Sequence, residues 1–268
     1  MKYLMTSAIL ISGILVNSSC SHNLAPAGHF QDQAVTIDGN IGDWSLPLRF
    51  SNPDYSMQYS VTNDDKNIYI CIYSKNEAFQ KRMLRSGMSI YFDTKGEKNK
   101  NCALVFPIKK TPEQGTNNTN GNPIRYSDYK TTMDQLLLQS DYYNTIGFVN
   151  MENGQYDVKA AQTNIKLALK LGADSSLVYE AAVPIQYVLG KDLASGIDSK
   201  NFSVGIVINA TAIPSRNSGY PSHSYHGGSN MGGMHGMGAG RHYGQNTNAS
   251  QKAEENWYTF RLVYKKPG

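Results

Sequence analysis

The stretch "VTNDDKNIYICIYS", residues 61–74, decides the fold. Ile68, Ile70 and Ile72 alternate with Tyr69, Cys71 and Tyr73. That period of two puts the isoleucines on one face of a strand and the other three on the opposite face. "NDDKN", residues 63–67, supplies a turn, and "SMQYSVT", residues 56–62, alternates before it. Strand, polar turn and strand together predict a hairpin.

The same pattern continues on either side. "AVTID" (34–38) predicts a strand and "GNIGDW" (39–44) its exit. "NEAFQKRMLRSG" (76–87) predicts a short helix, with Ala78, Met83 and Leu84 on one side and Gly87 as its stop. "MSIYFDTKG" (88–96) returns to strand, and "NCALVFPI" (101–108) predicts another, ended by Pro107. Residues 111–123 have almost no apolar content and predict a mobile loop. "MDQLLLQ" (133–139) fits either a short helix or a strand. "IGFVNMENGQYDVKAA" (146–161) predicts a hairpin with an Asn-Gly turn. "NIKLALKL" (164–171), "LVYEAAVPI" (177–185), "FSVGIVINAT" (202–211) and "NWYTFRLVYKK" (256–266) predict four further strands. Many short strands at steady spacing predict an all-β protein: a single antiparallel β-sandwich with one or two short helices and long loops.

Composition agrees with that class. The 268 residues are 40% hydrophobic and 17% charged, with 18 Tyr against 2 Trp. Tyr and β-branched residues favour strands. The net charge of +4 is spread along the chain without a dense basic block, which argues against a nucleic-acid partner.

The first residues read as a targeting segment rather than as fold. Met1-Lys2 is followed by a largely apolar run, Leu4 to Val16, too short for a membrane span. "LVNSSC" ends at Cys20 and looks like a relaxed bacterial lipobox. Residues 1–19 are then a lipoprotein signal peptide and Cys20 the lipidated residue, with residues 20–33 as a tether. The membrane is a partner through that anchor. Ser21 after the cysteine favours the outer membrane, facing either the periplasm or the surface. The plainer alternative is an ordinary signal peptide with an incidental Cys. Cys71 and Cys102 could pair in an exported protein or remain two buried free thiols.

The order of "IDGNIGDW", "VTNDDKNIYICIYS", "GMSIYFDTKGEKNK", "LVYEAAVPI", "FSVGIVIN" and "NWYTFRL" resembles the family 9 carbohydrate-binding modules and their wider DOMON-like relatives. The resemblance covers about residues 34–266 and implies one β-sandwich domain over 34–268. It also implies a glycan partner, although other relatives bind haem or serve in redox proteins. Family 9 sugar binders clamp a terminal sugar between two Trp. Trp44 and Trp257 match the framework positions and not the clamp. Trp44 fits a core plug at the sandwich edge or, alternatively, a sugar-stacking ring.

Sugar recognition needs flat aromatic faces beside planar polar side chains. Arg125, Tyr126, Asp128, Tyr129, Tyr142 and Tyr143, with Asn144, have that composition in loop-like sequence. The alternative is that these tyrosines pack on the sheet. Calcium is a candidate ion, as in many family 9 modules. Asp38, Asp43, Asp64, Asp65 and Asp93 are the oxygen donors available, and ordinary turn capping accounts for each equally well. Residues 221–244 lie in a Gly/His/Met-rich loop, 214–250, and hold four of the six His with three Met. Imidazole with thioether suits copper, so His223, His226, Met231, Met234, His235, Met237 and His242 are candidate ligands. The same residues offer a haem ligand. Catalysis has no motif to stand on: Glu180 is a lone carboxylate in a strand, and the expected class is non-catalytic. The expectations are therefore glycan binding, metal handling through the His/Met loop, or a protein-interaction scaffold.

Overall fold

A computed structural model describes residues 24–109, 129–160, 162–190, 200–209 and 253–264. The described chain folds as an all-β sandwich of two antiparallel sheets. Eleven strands run in order: β1 (Phe50–Ser51), β2 (Gln58–Asn63), β3 (Asn67–Ser74), β4 (Met88–Asp93), β5 (Ala103–Ile108), β6 (Tyr142–Ile146), β7 (Gly154–Asp157), β8 (Lys166–Leu171), β9 (Leu177–Pro184), β10 (Phe202–Ile208) and β11 (Glu254–Phe260). The first sheet has the order β1-β2-β3-β9-β8, and the second β11-β10-β4-β5-β6-β7. Three short helices accompany them: α1 (Glu77–Ser86), α2 (Tyr129–Leu137) and α3 (Ile185–Leu189).

The hairpin read from residues 56–74 is β2-β3, with Gln58 opposite Tyr73 and Asn63 opposite Ile68. Asp64 closes its turn: one carboxylate oxygen accepts the amides of Lys66 and Asn67, and the other accepts the Tyr69 hydroxyl. Ile68, Ile70 and Ile72 enter the main core, while Tyr69 and Cys71 join a separate cluster on the far side of the sheet. In the main core they meet Tyr179, Ala181 and Val183 of β9 and, from the second sheet, Ile90, Phe92, Val204 and Ile206. Each such aliphatic side chain contributes about 1.5–3 kcal/mol by leaving water. β9 lies between β3 and β8, and β10 between β4 and β11. Every residue of both is buried, which is why their sequences are apolar but for Glu180 and Ser203.

Helix α1 starts and stops where its sequence directs. The Asn76 side chain accepts the Phe79 amide at 2.9 Å, and Gly87, at φ 75°, donates its amide to Met83. A side chain at Gly87 would also meet the Pro107 carbonyl at 2.8 Å. The buried face is Phe79, Gln80, Met83 and Leu84, whereas Ala78 is exposed. The i, i+4 pairs Phe79–Met83 and Gln80–Leu84 define that face better than Ala78 does. Gln80 reaches the carbonyls of Ser74 and Ser175, so the helix is tied to the end of the first sheet where β3 finishes and β9 begins.

Three local expectations change. "AVTID" is not a strand: its amides bond to side chains and not to a sheet neighbour. β5 continues through Pro107, with a register shift between Val105 and Ile108. Such a bulge is where a strand tolerates a residue that cannot donate a ladder bond. The β6-β7 hairpin has a longer loop, because "YYNTI" is its first strand and Thr145 pairs with Gly154. Of the two options for "MDQLLLQ" the helix is found: residues 133–137 close α2, and Leu138 and Gln139 turn out of it, while α3 follows β9 directly.

Candidate functional site

The two outer faces of the sandwich are treated differently. On the first sheet, Tyr69, Cys71, Val178 and Ala182 face outward and are covered by Trp44 and Leu48, with Val35, Ile37 and Ile41 around them. The covering segment is the "IDGNIGDW" turn. Asp38 accepts the Asn40 amide, Asn40 accepts the Gly42 amide, and Asp43 accepts the Thr36 amide. Gly39 takes φ 77° and seats against Lys170, whose Cβ would lie 2.5 Å from an added Cβ. The left-handed angle and the close approach both require Gly there.

Glu180 of β9 holds this turn to the sheet. It is fully buried. Its Oε1 accepts the Trp44 indole N–H at 2.6 Å. Its Oε2 accepts the amides of Asp38 at 3.0 Å and Gly39 at 2.6 Å. Burial pushes the carboxyl above its ordinary value, against the pull of these three donors. Both oxygens are occupied and inaccessible, so the one strand carboxylate that invited a catalytic reading is a structural anchor. Trp44 is the plug and is 6% exposed. Beneath it, burial drives the Cys71 thiol well above its usual value. Cys71 and Cys102 are both free thiols, and Cys102 is pushed up to about 12 by burial.

The five aspartates proposed for calcium do not converge. Asp38, Asp43 and Asp64 cap their own turns as described. Asp93, at the end of β4, accepts the amides of Lys95, Glu97 and Asn99. Asp65 is an exposed neighbour of Asp64 in the hairpin turn. Among the described residues, no group of three or more His, Cys, Asp or Glu is placed to hold a metal.

The outer face of the second sheet is laid out in ranks across the strands. Trp257 pairs with Gly205, Gly205 with Tyr91, Tyr91 with Ala103, and Ala103 with Ile146. One register line therefore crosses β11, β10, β4, β5 and β6. Three indole atoms of Trp257 would each lie 2.8 Å from a Cβ added at Gly205. The ring thus lies face-on over Gly205, and only the absence of a side chain admits it. The Tyr91 ring is 6.2 Å away and tilted by 22°. Both rings are half-buried. Polar groups flank this line on both sides. On one side the Ser203 and Thr259 hydroxyls bond to each other beside Asp93. On the other, Glu255, Ser89, Asn144 and Gln155 share a register line with Val207 and Val105. Lys100 reaches over the Tyr91 ring, 5.7 Å from its centre, and pairs with Glu255, which also accepts the Trp257 N–H.

Of the tyrosines predicted for sugar, Tyr143 points into the core, stacks on Tyr156 and bonds to Thr163. "SDYYNT" reads as a loop by composition, but as β6 it alternates, sending Tyr143 and Thr145 inward. Tyr142 and Asn144 project to the same outer face as Trp257. Tyr129 begins α2, donates its hydroxyl to Gln80 and lies under Lys81. Cys20, Arg125, Tyr126, Asp128, the loop at 111–123 and all seven His/Met ligands lie outside the described residues. Sequence reasoning missed Tyr91 and Gly205. The available signal was the Gly inside "FSVGIVIN", since a glycine within a strand marks a close approach.

The fold and its faces define a β-sandwich with one outer face sealed by its own chain and an aromatic line on the other. No protein-family model matches the chain. No curated protein matches it either.

Proposed function

We propose that this is a non-catalytic, lipid-anchored carbohydrate-binding sandwich of the bacterial envelope, taking glycan on the outer face of its six-stranded sheet. The observation that carries this reading is the Trp257 ring lying flat over Gly205 beside Tyr91, with polar groups along both sides. Sugar rings present C–H faces to such aromatics and hydroxyls to such rims. The family resemblance points the same way, although the surface differs from the clamp it implies. Anchoring rests on Cys20 and the preceding apolar run. Each buried acyl methylene adds about 0.8 kcal/mol, so several chains on one residue hold the protein at the membrane. Replacing Cys20 with Ser is expected to release the protein from the membrane fraction.

The test is thermal unfolding of the chain from Ser21 onward against a panel of oligosaccharides. A ligand at 100 times its dissociation constant adds about 2.7 kcal/mol, a clear upward shift. One or more glycans should raise the melting temperature, and Trp257→Ala should remove the shift. If no glycan shifts it, the reading fails. Copper capture by the His/Met segment is the competing reading, supported by composition. A shift with copper alone, lost on deleting residues 221–244, would replace glycan with copper.

A further inference from the structure

We infer that the glycan is an extended, neutral chain bound along its length, lying across the strands with consecutive sugar units on Trp257 and Tyr91. This rests on the glycan reading above and names its ligand class. A pair of opposed rings makes a slot that admits a chain end. Here the indole lies flat on Gly205, and the Tyr91 ring, with its centre 6.2 Å away, is only 22° from parallel to it, so both follow the sheet surface as a floor. Each ring takes one unit, and the unit on Tyr91 displaces the exposed Lys100 side chain that lies over that ring.

The same register line passes through Ala103, which is buried, and ends at Ile146, which is exposed on β6. Five strands at their usual separation give a path of roughly 19 Å. Trp257 stands on β11, the edge strand, so among the described residues the line opens toward the sheet edge. The charged groups beside the rings are compensated. Lys100 pairs with Glu255, and Asp93 is taken up by three backbone amides. Balanced charge, with Thr259, Asn144 and Gln155 as the polar side chains that are not fully buried, suits neutral sugar hydroxyls better than uronates or sulfates.

Gly205 sets the geometry without touching ligand. Any side chain there lifts the indole off the sheet and out of line with Tyr91.

The experiment is calorimetric titration with one neutral glycan at increasing chain length, from monosaccharide to hexasaccharide, and with the hexasaccharide reduced to its alditol. Affinity should rise at least about tenfold from one unit to three. The alditol should bind within about twofold of the parent chain. Gly205→Ala should weaken the hexasaccharide at least about tenfold, and Tyr91→Ala likewise, while Tyr91→Phe restores most of the binding. Gly205→Ala sits in a packed strand, so the Tyr91 pair keeps the test valid if it unfolds. If a monosaccharide binds as tightly as the chain, or the alditol fails to bind, the protein captures chain ends. The floor is then wrong while glycan binding stands. If no length binds, both readings fall together.

Discussion

The chain has two tryptophans, and each stands on the outer face of a different sheet. Trp44 is covered on all sides, with its N–H spent on a buried carboxylate 136 residues away. Trp257 lies over a glycine with its N–H 3.4 Å from a surface carboxylate. One face is closed by the chain itself, and the other keeps two half-buried aromatic rings. A buried aromatic that has fixed hydrogen bonds stabilises. A flat one on a half-open face is available for recognition.

The most direct way to break this contrast is to remove each ring. Trp44→Ala should cost about 3–5 kcal/mol by urea unfolding, as for other buried aromatics. Trp257→Ala should cost only about 1 kcal/mol, since only part of its surface is buried. Equal losses would mean that the second face is sealed too. Glu180→Gln tests the anchor with almost no change of shape. One oxygen becomes an NH₂ facing an N–H donor, and the loss should be about 1–3 kcal/mol. Cys71 reports on the closed face by chemistry. In the folded protein a thiol reagent at pH 8 should leave it unmodified. Trp44→Ala should speed its modification at least about tenfold, the factor given by 1.4 kcal/mol of easier opening. The smallest effect concerns Tyr179, whose hydroxyl is fully buried and has no partner among the described residues. Tyr179→Phe should leave stability unchanged or raise it by up to about 1 kcal/mol.

Local periodicity made much of this legible. β3 alternates cleanly, α1 is bracketed by Asn76 and Gly87, and β9 and β10 are apolar but for Glu180 and Ser203. Those signals involve neighbours within a few residues. "AVTID" misled because its composition suits a strand, while its amides find Glu180 and Asp43 instead of a ladder. "SDYYNT" misled in the opposite direction, since polar residues on the outward face of β6 look like a loop. That Trp44 is a plug was one of two options in sequence. Choosing between them required the register that sets Glu180 opposite Cys71. The aromatic line was hidden for the same reason. Trp257, Gly205 and Tyr91 come from three strands, and only pairing brings them into one row.

The Glu180 anchor also fixes an order of events. Residues 38–44 leave the ribosome long before residue 180 does, so Trp44 exists for most of translation without its acceptor. The β2-β3 hairpin can form from neighbours alone, yet its outward tyrosine face stays wet until β9 docks beside it. Contacts this distant in sequence form slowly and late. The turn that opens the sandwich is therefore made among the first and locked among the last, and its closure is a record that the distant half of the sheet has arrived.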